Sequence, residues 1–228
     1  MNVLVVAAHP DDEVLGCGGT MARLTAEGHH VVVGILGEGM TSRFDHRDDA
    51  DPESLVALHA RAQEANAVLG VERVLFGGLP DNRFDSVALL EVVKIIERWI
   101  VDVAPTRVYT QHGGDLNIDH RITYRATMTA TRPTGSGCSV RELLAYEVAS
   151  STEWAFQKFE PVFRPNVFVD MAATFERKAK AMQAYESEIR AFPHPRSIEN
   201  LRASATRWGA AAGMAMAEAF DLVRRLEP

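Results

Sequence analysis

At 228 residues the chain is long enough for one domain with a sizeable core, and 46% hydrophobic and 24% charged residues are ordinary for a globular fold. A net charge of −7 with no block of Lys or Arg excludes a general nucleic-acid binder. The first apolar run, Val3 to Ala8, is too short for a signal peptide or a membrane span, and Cys17 and Cys138 stand in no ligand-like spacing. These features predict a cytoplasmic protein in which any metal is held by nitrogen and oxygen.

In chain order, a β-branched strand at 2–8 leads into a helix near 13–27, then a strand at 30–36, a polar loop at 37–52 and a helix near 53–69. A strand at 71–76, a loop at 77–84 and a long helix at 86–102 follow, with Pro105 closing the helix. A fourth strand spans 107–111, before a loop at 112–118 and a helix at 119–131. Alternation of this kind predicts a Rossmann-like α/β/α sandwich on a mostly parallel sheet, without settling strand order. The second half reads as strands at 142–148 and 167–169, a helix at 175–189 and an Ala/Met-rich C-terminal helix at 197–225. Residues 190–196, with two prolines flanking His194, must be irregular. The whole is expected to be a single domain, 1–131 forming the βα core and 132–228 a less regular substrate-side part. Gly16-Cys17-Gly18-Gly19 lies inside the first helix and is not a dinucleotide fingerprint, since no glycine-rich turn precedes it.

The chemistry concentrates where two strands end. His9-Pro10-Asp11-Asp12-Glu13 follows the first strand, and Asp115 to His120 follows the fourth. Open α/β sheets place their sites at the carboxyl ends of strands. One imidazole and three carboxylates within five residues would repel and desolvate badly without a positive partner, and a divalent metal is the economical one. The plain alternative, first-turn acids complementing a helix dipole, accounts for the first cluster alone and leaves the second unexplained. His9, Asp12 and His120 make a two-histidine, one-carboxylate set, and three protein ligands plus water is the pattern of catalytic zinc. Iron or another divalent metal suits the same set. Asp11 is then free to take a proton from metal-activated water. Asp119, beside His120, can orient an imidazole and fix its tautomer.

The sequence AHPDDE after an N-terminal strand, with a downstream Asp119-His120, resembles the PIG-L (LmbE-like) family of zinc-dependent N-deacetylases, which act on N-acetylated amino sugars. The resemblance implies zinc ligation by His9, Asp12 and His120, a general-base Asp11, and Asp119 as the outer partner of His120. Where well-known members carry a further histidine this chain has Asn117, which cannot transfer a proton but can donate a hydrogen bond to an oxyanion. The acid is therefore Asp11 itself, His112 or His194. The GLPD run at 78–81, Lys180 to Glu188, the HPRS run at 194–197 and Ala217 to Phe220 also look like family features. They imply that Arg43, Asp81, His194 and Arg196 line the substrate pocket, an arginine there being able to take a phosphate. The reading is an N-deacetylase of an amino sugar or its conjugate. Hydrolysis of another acyl amide, or sugar or nucleotide binding without catalysis, stays open. Loops 37–52 and 132–138 and the segment 150–165 would decide the substrate, and self-association through the C-terminal helix is a further expectation.

Overall fold

The computed structural model describes residues 1–46, 49 and 51–227, the Arg43 side chain excepted. One sheet of seven strands carries the fold: β1 (Asn2–Ala7), β2 (His30–Gly37), β3 (Arg73–Leu79), β4 (Arg107–Gln111), β5 (Glu142–Tyr146), β6 (Val167–Asp170) and β7 (Ala217–Arg225), in the order β3-β2-β1-β4-β5-β7-β6. The first five are parallel; β7 pairs antiparallel with both β5 and β6. Helices α1 (Asp12–Ala26), α2 (Pro52–Val68), α3 (Leu89–Val103), α4 (Ile118–Ala130), α5 (Phe175–Ala184) and α6 (Ile198–Ala212) cover its faces. Side chains alternate across a strand, so Val3, Val5 and Ala7 of β1 enter one core with α1, α2, α5 and α6. Leu4, Val6 and Ala8 enter the other with α3 and α4. The expected α/β sandwich is present, and no helix of the described residues is long and apolar enough to cross a membrane.

Strand order decides where a site can form. The chain winds outward from β1 through β2 to β3, then returns to place β4 on the other side of β1. The two connections leaving β1 and β4 therefore diverge and open a crevice at their carboxyl ends. His9 to Asp12 and His112 to His120 are the segments that leave those two ends.

Two helices end earlier than their sequences suggest. The expected helix at 197–225 stops at Ala212, where Gly213 takes φ 72° and the chain reverses. A Cβ on Gly209 would lie 2.7 Å from the Met214 carbonyl oxygen, so the turn closes only on glycine. Residues 217–225 are a strand, not helix: helical composition yields to hydrogen bonding on both edges, with β5 and with β6. The expected helix at 175–189 likewise stops at Ala184, and Tyr185 turns inward to a fully buried position.

Helix α1 is kinked where Cys17 leaves helical geometry at φ −143°. The kink frees backbone groups that distant residues satisfy. Lys178 Nζ donates to the Leu15 carbonyl at 2.7 Å and to Glu218 Oε1 at 2.6 Å. Glu218 accepts the amides of Gly19 (2.9 Å) and Thr20 (2.6 Å). Gly16 and Gly19 are small because a Cβ would run into the Tyr146 ring at the first and lie 2.7 Å from Met171 at the second. Gly16→Ala should therefore destabilise the fold by about 1–3 kcal/mol through overpacking, read as a lower urea midpoint at unchanged slope; an unshifted midpoint would show that Tyr146 can yield.

Candidate metal centre

Pro10 ends the β1 segment, and α1 begins at Asp12 after Asp11 in a rare backbone conformation, φ 104° and ψ −30°. For a non-glycine residue this costs on the order of 1–3 kcal/mol, which surrounding contacts must offset. The Asp11 carbonyl accepts the amides of Val14 (3.0 Å) and Leu15 (2.9 Å), starting the helix. The two half-sites are joined by Gln111, the last residue of β4: its Oε1 accepts the Ala8 amide at 3.0 Å and its Nε2 donates to Asp12 Oδ2 at 2.7 Å.

His9 stands at the middle. Its Nδ1 lies 3.3 Å from Asp12 Oδ2; its Nε2 lies 3.0 Å from Asp119 Oδ2 and 3.3 Å from Asp81 Oδ1. His120 Nε2 approaches the same Asp12 Oδ2 at 3.3 Å. Two donor groups result, His9 with Asp12 and His120, and His9 with Asp81 and Asp119, in each of which the donor atoms lie within 4.8 Å of one another. They share one imidazole through opposite nitrogens. With Nε2 engaged by Asp119, Nδ1 is the atom left to face a cation together with Asp12 and His120 Nε2.

The donor chemistry fits a divalent cation. His120 Nδ1 is buried and lies 3.3 Å from Asp115 Oδ2 without hydrogen-bonding alignment. Asp115 in turn accepts the hydroxyls of Ser151 and Thr152. Without a metal, protons must neutralise this acid ring. Burial works to lower the His120 pKa, but the charges of Asp12 and Asp115 push it up to about 9. Burial opposes the shift at His9 too, where hydrogen bonds with Asp119 and Asp12 hold the pKa well above the usual value. For Asp12, burial is outweighed by His120 and His9, which keep it well below the carboxylate range. Each group is tuned by its neighbours toward holding positive charge between them.

Of the residues singled out from sequence, His9, Asp11, Asp12, Asp81, Asn117, His120 and Arg196 line one cleft of about 160 Å³. Asp119 is buried beneath it, and its partner differs from the expectation: it bonds His9 Nε2 and the Phe84 amide (2.9 Å), whereas Asp115 faces His120. Helix geometry explains the exchange, because Asp119 and His120 are adjacent in α4 and project in different directions. Asn117 caps α4, accepting the Asp119 amide at 2.8 Å, and donates to Asn82 Oδ1 at 2.8 Å. Neither His112 nor His194 lines the cleft. His112 packs edge-on against Phe163, while His194 Nδ1 accepts the Arg196 amide at 3.1 Å. The side chain of Arg43 lies outside the described residues.

Sequence reading missed what surrounds Asp11. Arg196 Nη1 donates to Asp11 Oδ2 (2.9 Å) and to Glu188 Oε2 (3.0 Å), and its Nε donates to Ser150 Oγ (2.7 Å). Burial raises the Asp11 pKa well above the carboxylate range against the opposing charge of Arg196. Glu13 is fully buried, and burial pushes it up to about 7 against hydrogen bonds from Tyr185 and Asn66. No local signal reports these contacts, because their partners lie 172 and 185 positions away.

A Rossmann-like sheet whose crevice gathers two imidazoles and an aspartate within coordinating distance defines a class of α/β proteins suited to a divalent cation. Residues 4–131 match the PIG-L family, described as GlcNAc-PI de-N-acetylase, and the chain belongs to that family of N-deacetylases. It is 29% identical over 185 residues to the uncharacterized deacetylase YaiS of Escherichia coli (strain K12), covering 78% of this chain and 91% of that one. To the probable N-acetyl-alpha-D-glucosaminyl L-malate deacetylase 2 of Bacillus cereus it is 26% identical over 216 residues, covering 91% and 93%. The crystal structure of the conserved protein TT1542 from Thermus thermophilus superimposes with a TM-score of 0.78 at 25% identity, over 100% of this chain and 97% of that one.

A cation entering this site competes with the proton on His120. Its apparent affinity should rise about tenfold per pH unit for each proton displaced, levelling off above the imidazole's value of about 9. Zinc titrations of metal-free protein from about pH 6 to about 9 would measure this, and a flat profile would show that His120 carries no proton for the cation to displace over that range. The sign for stability follows the same shift. The metal-free fold gains most below 6.5 and loses the gain as pH climbs through about 9.

Proposed function

We propose that the chain hydrolyses the acetamido group of an N-acetylated amino sugar or a conjugate of one, with His9, Asp12 and His120 holding a divalent cation, zinc in the first place. The observation that carries this is the convergence of His9 Nδ1 and His120 Nε2 on Asp12, each at 3.3 Å, in the cleft that also holds the Asp11 carboxylate. When bound, the cation supplies positive charge that polarises the amide carbonyl and makes a water acidic near neutral pH. Family membership supports the reaction type, and the printed name of the Bacillus cereus relative supports a sugar conjugate as substrate.

The protein residues then divide the work. Asp11 takes a proton from the attacking water as its oxygen bonds the acetyl carbon. Burial raises its basicity, and Arg196 keeps the carboxylate oriented through Oδ2. As the C–N bond breaks, Asp11 returns that proton to the leaving nitrogen, giving acetate and the free amine. This dual role is supported by two observations: Asn117 cannot transfer a proton, and His112 and His194 do not line the cleft. Asp119 and Asp81 flank His9 Nε2 and so orient its ring. Ser42, Asn82 and Asn117 offer neutral polar groups along the cleft for sugar hydroxyls. Arg196 is already paired with two carboxylates, so a neutral sugar suits the cleft better than a phosphate.

Acetate release from a panel of N-acetylated sugars and conjugates, on chelator-stripped protein and after zinc is restored, tests the reading. Zinc-dependent release from one panel member is expected. Silence with zinc bound near one per chain would redirect the assignment to another acyl amide, and silence without zinc binding to a binding protein. Asp11→Ala should lower kcat by at least about 100-fold while zinc stays bound; zinc loss with retained turnover would overturn the base assignment.

A further inference from the structure

Asp11 adopts φ 104° with a side chain that glycine would not need. Something must hold it there. The nearest candidate is a side chain the reaction itself does not use: Glu13, the fully buried second residue of α1. Its Oε2 accepts the Asp11 amide at 3.1 Å. Its Oε1 accepts Tyr185 Oη–H at 2.7 Å and Asn66 Nδ2–H at 2.9 Å. Three donors from three parts of the chain thus converge on one carboxylate. Asn66 is anchored in α2, where its Nδ2 also donates to the Ala62 carbonyl at 2.9 Å. Tyr185 reaches Glu13 only because α5 stops at Ala184.

We propose that Glu13 is a positioning residue for the reaction, fixing the Asp11 backbone from behind the cleft while Arg196 fixes the Asp11 carboxylate from within it. The proposal rests on the reading of Asp11 as the base. A carboxylate reaching back to the amide at a helix start is a known way of satisfying a free donor. Here that donor belongs to the residue that must carry a proton, so the contact sets the position of the base as well as the start of the helix. The demand is for two acceptor oxygens. Glutamine presents one oxygen and an NH2 group, which must face at least one of the three donors. Tyr185→Phe removes one donor and leaves the ring in place, weakening the anchor without breaking it.

The test uses the full-length zinc-loaded protein and the substrate identified by acetate release. Glu13→Gln should lower kcat about 10- to 100-fold, with KM and bound zinc close to wild type, and Tyr185→Phe should move kcat the same way by less. A merely structural role is separated by a double-mutant cycle with Asp11→Asn, run on a trifluoroacetyl analogue so that slow variants remain measurable. With the base gone there is nothing left to position, so Glu13→Gln should then change kcat less than about twofold. Full additivity, or unchanged kcat per folded molecule in Glu13→Gln, would overturn the proposal. Should Glu13→Gln not fold, Tyr185→Phe in the same cycle decides, additivity again counting against it. Full turnover in Asp11→Asn would instead overturn the base reading, and the inference with it.

Discussion

Buried negative charge at the crevice between β1 and β4 is the constraint on which the rest depends. Asp11, Asp12, Asp81, Asp115 and Asp119 are all buried around two imidazoles. Carboxylates removed from water are costly unless paired, so every one of them must be matched. The match is layered. Asp12 meets both rings, Asp119 and Asp81 face His9, Asp115 faces His120, and Arg196 answers Asp11. His9 is the pivot because its two nitrogens serve different layers. A residue without an imidazole there would remove a histidine contact from three carboxylates at once, Asp12, Asp81 and Asp119.

The second constraint is mechanical. Residues 4–131 carry the candidate metal donors, but Asp11 and Glu13 at the same helix start take partners from beyond them: Arg196, itself held by Ser150 and Glu188, and Tyr185. The antiparallel β7 adds Glu218 at the α1 kink. The first half of the chain thus carries the clustered imidazoles and acids, and the second half holds the neighbouring Asp11 and Glu13 in place.

Much of this was legible because it is local. The β-branched run before His9-Pro10 could only be a buried strand, and the repeated strand–acid–helix pattern at 107–120 brought both half-sites to one edge. The donor set follows from that placement. Orientation was not legible. Adjacent Asp119 and His120 suggested a pair, yet a helix turns successive residues apart, and Asp119 serves His9 instead. The Ala/Met-rich tail carried a helical composition that strand pairing overrode from Ala217 onward. Tyr185 gave no sign of its role, since ending a helix early to bury a hydroxyl on Glu13 is a tertiary choice with no periodic trace.

The Lys178–Glu218 pair at the kink of α1 bears on the order in which the molecule can be assembled. Gly19 and Thr20 are synthesised long before their partner, and their amides wait for a carboxylate 199 and 198 positions later. Until that strand inserts between β5 and β6, α1 has open backbone groups at its midpoint and no reason to bend. Contacts of such span form late in folding, after loop-closure entropy has been overcome. A nascent chain released as far as α4 therefore already carries His9, Asp12 and His120, but the bend that seats α1 against Tyr146 and Met171 has to wait for β7.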